Sequence, residues 1–483
     1  MNKALYLLLI VVSSTFLGCA DKPANEKPNI VFIAVDDLRP EINTYGKSLI
    51  VSPNLDKLAE DGLVFKRAYC NVPVCGASRA SLMTGIFPTP QRFTTYGSRV
   101  DEEANEYPTL TETLKNNGYL TTSVGKIFHH PDDGLDGWSQ QPYRPDYPNS
   151  IHQQELWRDY QSEELNWTKE SDLPLGAAGP AWEAANVADT VYYDGKTTQL
   201  ALNKLEELKG SDKPFFFGLG YIRPHLPFNC PKKYWDLYDE NEIELAQNHF
   251  MPMNAPKDAN FTFGELRSYT NISDDKSELI QEEQAYKLRH GYYACVSYID
   301  AQIGMVIDKL KEMDMYENTI IVLWGDHGWS LGEHTHWGKH TCFNNALRVP
   351  LLVKAPEYLQ GTKTEALVSL VDLYPTLCEL AGIEKPAHLD GKSFVPVLND
   401  NEAKVNDYVF ARWSNGESIK SDKFLYTQYY KKAKNCKEMK SAMLYNHETD
   451  PEENENIVAD PQNKAVVQEL KSKLEEHMQT RLQ

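Results

Sequence analysis

The chain reads as an α/β protein: a mostly parallel central sheet flanked by helices, followed by a smaller C-terminal α+β subdomain. Three observations predict this. Asn29–Val35, Phe215–Tyr221 and Thr319–Trp324 are near-continuous apolar runs, the pattern of strands buried on both faces. Each run passes directly into polar, chemistry-bearing residues, which is where open α/β sheets place their ligands. From about Lys385 the pattern changes to short strands and one closing helix.

The remaining elements follow in order. Ser52 and Pro53 open a helix whose apolar period is Leu55, Leu58 and Ala59. Val74-Cys75-Gly76-Ala77-Ser78-Arg79 enters a short helix that Gly85 ends. Thr109 to Asn117 is amphipathic and stops at Gly118, and Thr121 to Val124 is a short strand. Asp132 to Ala185 is rich in Trp, Tyr, Pro and Gly with little periodicity, either a loop region offering aromatic faces to sugars or an ordinary packed insertion. Helices are expected over Thr190–Leu208, Glu278–Met313, Val371–Leu380 and Ala465–Leu482, and strands over Val349–Lys354, Tyr408–Arg412 and Lys423–Tyr426.

Length and composition bound the rest. The 483 residues can hold one large domain, residues 29–384, and a smaller one, residues 385–483. A formal net charge of -20 disfavours nucleic acid as a partner, so any polyanionic substrate must be captured by a local cationic pocket. Lys3 followed by the apolar Ala4 to Leu17 reads as a targeting segment over residues 1–18, too short for a comfortable membrane span. Its end, Phe16-Leu17-Gly18-Cys19, resembles a bacterial lipobox, which makes Cys19 the expected lipidation site and residues 19–28 a polar tether. Phe16 stands where the lipobox commonly has Leu, which leaves conventional cleavage open. The eight cysteines contain no CxxC pair, so a zinc ribbon is not indicated.

Five sets of residues carry chemistry. Cys75 and Arg79, four apart, share a helical face at a helix N-terminus, a place for an oxyanion; a lone buried Cys is the plain alternative. Asp36 and Asp37 at the end of an apolar run repel one another unless a cation lies between them, or else form a solvated turn. Lys126 and His129 follow the Thr121–Val124 strand, and either bind an anion or are a surface Lys and a capping His. His225 has Pro224 and Pro227 around it, suiting a positioned catalytic group or a stiff turn. Asp326 and His327 end the Thr319–Trp324 run, with Trp329 and Lys339 beyond. His334, His336 and His340 do not have the spacing of a zinc-binding helix face.

The stretch from Cys75 to Gly85 resembles the type I sulfatase signature, Cys-x-Pro/Ala-Ser-Arg followed by Thr-Gly, in which a maturation enzyme oxidises the Cys to formylglycine (3-oxoalanine). Cys75, Ala77, Ser78, Arg79, Thr84 and Gly85 match it. Gly125-Lys126-Ile127-Phe128-His129 resembles the family's Gly-Lys-x-x-His block. Gly220-Tyr221-Ile222-Arg223-Pro224-His225-Leu226-Pro227-Phe228 and the His at 327 are similar to the iduronate-2-sulfatase-like branch.

The resemblance implies an alkaline-phosphatase-like fold and one Ca2+ held by Asp36, Asp37, Asp326, His327 and an oxygen of converted Cys75. The imidazole leaves Mg2+ or Mn2+ as fallback. It further implies Arg79, Lys126 and Lys339 as sulfate-binding cations, His129 beside the nucleophile, His225 as leaving-group acid, and Trp329 as a substrate contact. The expected substrate is a sulfated glycan, algal such as ulvan or a glycosaminoglycan with a 2-O-sulfated uronate. The expected partners are a formylglycine-generating or anaerobic maturating enzyme and, through a lipid anchor, the outer membrane. Competing readings are a phosphodiesterase or phosphonate hydrolase of the same superfamily, and a non-catalytic glycan-binding surface lipoprotein.

Overall fold

The computed structural model describes residues 27–145, 160–161, 179–262, 264–434 and 436–481. The targeting segment, Cys19 and most of the tether lie outside the described residues, as does much of Asp132 to Ala185.

The central sheet has seven strands: β1 (Asn29–Val35), β2 (Leu63–Tyr69), β3 (Leu120–Gly125), β4 (Phe215–Tyr221), β5 (Thr319–Gly325), β6 (Arg348–Lys354) and β7 (Thr362–Ser369). Their spatial order is β7-β2-β6-β5-β1-β4-β3. β1 lies between β4 and β5, parallel to both. β3 is parallel to β4 and β7 to β2. β6 runs against both of its neighbours. The carboxyl ends of β1, β3, β4 and β5 therefore open onto one edge of the sheet.

Alternate residues of β1 feed two cores, as a period of two requires. Ile30, Phe32 and Ala34 pack with the helices α2 (Cys75–Thr84), α3 (Leu110–Asn116) and α6 (Leu373–Leu380). Val31, Ile33 and Val35 pack with α1 (Pro53–Glu60), α4 (Tyr193–Lys209) and the long α5 (Glu282–Glu312). The C-terminal region forms a second, antiparallel sheet of β8 (Val409–Trp413), β9 (Gly416–Lys420), β10 (Phe424–Tyr430) and β11 (Met439–Asn446). Leu470 and Leu474 of α7 (Lys464–Arg481) pack onto its Ile419, Tyr426 and Leu444.

The local signals act largely as expected. α3 begins with a capping box between Thr109 and Glu112, and Gly118 follows in a positive-φ conformation. Ser52 precedes α1 without capping it; its hydroxyl instead accepts from the Asn43 N–H at 3.1 Å. β2, β7 and β9 carry no clear apolar period. Lys66 and Arg67 interrupt β2 because they reach out to Glu365 and Asp422. Within Asp132–Ala185, Trp138 is a core residue, set edge-on to Phe128 at 6.2 Å. Among the described residues no helix is long and apolar enough to cross a membrane, and Cys70, Cys75, Cys230, Cys295, Cys342, Cys378 and Cys436 are free and buried.

Candidate active site

Asp36 and Asp37 leave β1, Lys126 leaves β3, His225 follows β4, and Asp326 and His327 follow β5. α2 supplies Cys75 and Arg79 from the side. Gly76 is required there: a Cβ would meet the Tyr96 carbonyl oxygen at 2.1 Å, so only glycine lets that loop cross the helix start.

Asp37 adopts a left-handed backbone, φ 60°, which an L-residue reaches only when its surroundings hold it there. Its N–H donates to Asp326 Oδ1 at 3.1 Å, and its carbonyl accepts from the Tyr292 hydroxyl at 2.8 Å. The same hydroxyl accepts from the Arg39 N–H at 3.0 Å. Tyr292, from the middle of α5, thus clamps the turn that aims Asp37.

The cations interleave with the acids. Arg79 Nε donates to Asp326 Oδ2 at 2.8 Å, and its Nη1 donates to the carbonyls of Lys126 and Ile127, the latter at 3.0 Å. The Ser78 hydroxyl donates to the Asp326 carbonyl at 2.5 Å. Lys126 pairs with Asp36, and Lys339 Nζ lies 2.7 Å from Asp37 Oδ1. Lys126 and then Arg79 hold the Asp36 carboxyl well below its ordinary range against the opposing effect of burial. Burial pushes Asp37 well up, aided by Asp36, Glu265 and Asp326, although Lys339 opposes the shift. Burial disfavours the Cys75 thiolate, but Lys126 and Lys339 bring its pKa below the ordinary thiol value. Burial, then Lys126, pushes His129 well down, and burial, then Lys339, does the same to His225.

Two histidines have their tautomers set by backbone carbonyls. Nδ1 of His225 donates to the Leu226 carbonyl at 2.7 Å, which turns Nε2 toward Glu265 Oε1 at 3.3 Å and Asp37 Oδ2 at 3.9 Å. Nδ1 of His327 donates to the Gly328 carbonyl at 3.0 Å. Its bare Nε2 then faces two carboxylate oxygens, Asp37 Oδ1 at 3.3 Å and Asp326 Oδ1 at 3.6 Å. Three acceptors turned toward one another in a buried space call for a cation. Asp36 Oδ1, Asp37 Oδ2 and His327 Nε2 are also buried without hydrogen-bond partners. Ligand atoms of Asp36, Asp37, Asp326 and His327 lie within 4.8 Å of one another, as do those of Asp36, Cys75 and His327. The donor set fits a divalent metal. No grouping of His334, His336 and His340 forms a comparable cluster among the described residues; His334 packs on Phe343, and His340 stacks on Trp413.

The sulfatase family profile matches residues 28–383, and the C-terminal profile of N-sulphoglucosamine sulphohydrolase matches residues 332–480. Mouse iduronate 2-sulfatase is 33% identical over 406 residues, covering 77% of this chain and 72% of the relative. The chain belongs to the sulfatase family. It is a sulfuric ester hydrolase with an iduronate-2-sulfatase-like character. Among solved structures, a protein in complex with its substrate D-glucosamine-2-N,6-O-disulfate superposes with a TM-score of 0.75 at 21% identity, covering 94% of this chain and 98% of its own. A phosphonate monoester hydrolase from Silicibacter pomeroyi also gives 0.75, at 22% identity, over 94% of this chain and 95% of its own. At those identities the likeness is one of fold.

In this sulfatase Asp36, Asp37, Cys75, Arg79, Lys126, His225, Asp326, His327 and Lys339 converge on one point, with His129 within electrostatic reach of Lys126, Asp36 and Arg79. Trp329 lies beside Lys339. It is 1% exposed, its ring supports Lys339 from 5.2 Å, and its carbonyl accepts from Arg39 Nη1. It acts on the site through Lys339. Sequence reasoning missed Tyr292 and Glu265. Tyr292 lies among apolar neighbours in a long helix, and Glu265 sits in a stretch with no period or motif, so neither carried a local signal.

Proposed function

We propose that this sulfatase removes sulfate from a sulfated polysaccharide or oligosaccharide, using Cys75 converted to formylglycine. The observation that carries the reading is the buried Cys75 thiol sharing one 4.8 Å cluster with Asp36 and His327, within electrostatic reach of Lys126, Lys339 and Arg79. Hydrated formylglycine would supply one hydroxyl to attack sulfur and a second to release sulfate, which an unmodified Cys cannot do. A divalent ion, Ca2+ on the strength of three carboxylate ligands, would be held by Asp36, Asp37, Asp326 and His327 and supply charge neutralisation.

The chain's own side chains do the rest. Lys126 and Lys339 present ammonium groups to the nonbridging sulfuryl oxygens. Arg79 ties Asp326 to the segment after β3, so the acid that holds the metal and the lysine that binds sulfate keep a fixed spacing. His225 offers Nε2 to the departing oxygen and donates a proton to it once protonated. His129 takes a proton near position 75. A glycan is favoured by the exposed Tyr96, 66% accessible, whose ring lies 6.3 Å from that of His129 and can stack on a sugar face. The names of its relatives point the same way, to iduronate and to a sulfated glucosamine.

The decisive experiment pairs mass spectrometry of the peptide containing residue 75 with sulfate release from sulfated oligosaccharides. Active protein is expected to carry formylglycine, and Cys75→Ala to lose sulfate release while unfolding as the parent does. An unmodified thiol in active protein, or faster cleavage of a phosphonate monoester assayed in parallel, overturns the reading.

Export as a lipid-anchored bacterial protein, facing the periplasm or the cell surface, is part of the same proposal. It rests on the Ala4–Leu17 apolar run and Cys19. Cys19→Ala is expected to move the protein from the outer-membrane fraction to the soluble one; unchanged membrane association refutes the anchor.

A further inference from the structure

The pocket built to receive a sulfate contains a carboxylate that the metal cannot use. Glu265 Oε1 lies 3.3 Å from His225 Nε2, and Oε2 lies 3.9 Å from Lys339 Nζ. Among the described residues these are the ion pairs its carboxylate makes. It differs from Asp36, Asp37 and Asp326 in two ways. Those three are fully buried and share the metal cluster, whereas the Glu265 side chain is 25% exposed and stands outside the cluster. Its place is fixed by the backbone: the Glu265 carbonyl accepts from the Ser268 N–H at 3.0 Å and from the Ser268 hydroxyl at 2.6 Å.

His225 is the group proposed to protonate the departing oxygen, so a side chain beside its Nε2 lies on the alcohol side of the ester. A negative charge there repels a sulfated substrate unless it does something for the alcohol. Lys339 does not require it as a counter-ion, because Asp37 already sits 2.7 Å from the same ammonium. What a carboxylate one-quarter exposed at this position can accept is a neutral hydroxyl donor, and what it rejects is a second anion.

We infer that Glu265 reads the carbon next to the sulfate ester: it accepts a hydrogen bond from a free hydroxyl there and disfavours a vicinal sulfate or carboxylate. The inference rests on the glycan sulfatase reading and narrows its substrate to sugars sulfated beside a free hydroxyl. Glu265 is on this view a specificity residue that touches substrate.

The test uses the full-length, matured enzyme and three synthetic methyl glycosides sulfated at one position. The neighbouring position carries a hydroxyl, a hydrogen or a second sulfate. For the parent enzyme kcat/KM should be about tenfold or more higher for the hydroxyl compound than for the deoxy one, the scale of one hydrogen bond to a charged acceptor. The disulfate should be slower still. In Glu265→Gln, which keeps an acceptor oxygen but loses the charge, the hydroxyl-to-deoxy ratio should fall severalfold and the disulfate should become a better substrate than for the parent. The parent series alone tests the idea if the variant unfolds. Equal rates on all three compounds, or an equal loss on all three in Glu265→Gln, overturn the inference while leaving sulfate hydrolysis standing. No sulfate release from any of the three, with cleavage of a phosphonate monoester, overturns the reading beneath it as well.

Discussion

Replacing Tyr292 by Phe tests how the metal centre is aimed. The hydroxyl joins two buried backbone groups, accepting from the Arg39 N–H at 3.0 Å and donating to the Asp37 carbonyl at 2.8 Å. Phe fills the same volume but leaves both unsatisfied. At about 1–3 kcal/mol for each of the two orphaned groups, a loss of about 2–6 kcal/mol is expected in urea unfolding of chelator-treated protein. The metal should register the change too. Asp37 holds a left-handed backbone, φ 60°, that costs an L-residue about 1–2 kcal/mol. Without the clamp the free protein relaxes out of that conformation, and binding must restore it. The affinity for Ca2+, titrated calorimetrically into apo protein alongside Mg2+, should fall about tenfold. A variant within about 0.5 kcal/mol of the parent in stability, with unchanged Ca2+ affinity, would show that Asp37 is held by Asp326 and its neighbours alone.

The other expectations follow from the same geometry. Cys75→Ala should abolish sulfate release with no shift in the unfolding midpoint, and Cys19→Ala should solubilise the protein without changing its specific activity. Glu265→Gln should weaken discrimination at the neighbouring carbon. Burial pushes His336 down to about 3, so the unfolded chain binds a proton that the folded one refuses; stability is full above about pH 6.5 and falls toward pH 3. His336→Gln should remove about 2 kcal/mol of the loss between pH 6.5 and 5, read from urea midpoints, and an unchanged slope would refute that assignment.

The sheet and the site were legible to different depths for physical reasons. β1, β4 and β5 are buried on both faces, so selection for apolarity wrote them as continuous runs that no other reading fits. β2 and β7 lie toward the sheet edge, where Lys66 and Glu365 can pair across the surface, and their mixed composition hides the strand. Residues that leave strand ends could be read because the strand supplies the context: Asp36 and Asp326 each follow an apolar run, and Lys126 follows the short strand β3. Glu265 and Tyr292 could not. One comes from an irregular segment and the other from the apolar body of a helix, and only tertiary packing brings them to Lys339 and Asp37. Trp329, next to the Asp326-His327 pair in sequence, is buried with its ring 5.2 Å from the Lys339 ammonium.

Charge explains how a chain of net charge -20 can hold a sulfate ester. Within the cluster, Asp36, Asp37 and Asp326 are offset by Arg79, Lys126 and Lys339, so these six groups are close to neutral as a set. A divalent ion would leave a surplus of two, and Glu265 reduces it to one. A sulfate monoester carries one negative charge, as does a phosphonate monoester or a phosphodiester, whereas a phosphate monoester carries nearly two near neutral pH. Net charge at the site therefore favours monoanions as a class and cannot alone separate sulfur from phosphorus. Because the opposing charges are buried and within a few ångströms, the distant acidic surface is screened by salt while the local surplus is not. Selection among sulfate esters of different alcohols is what the proposed role of Glu265, 3.3 Å from His225 Nε2, would add.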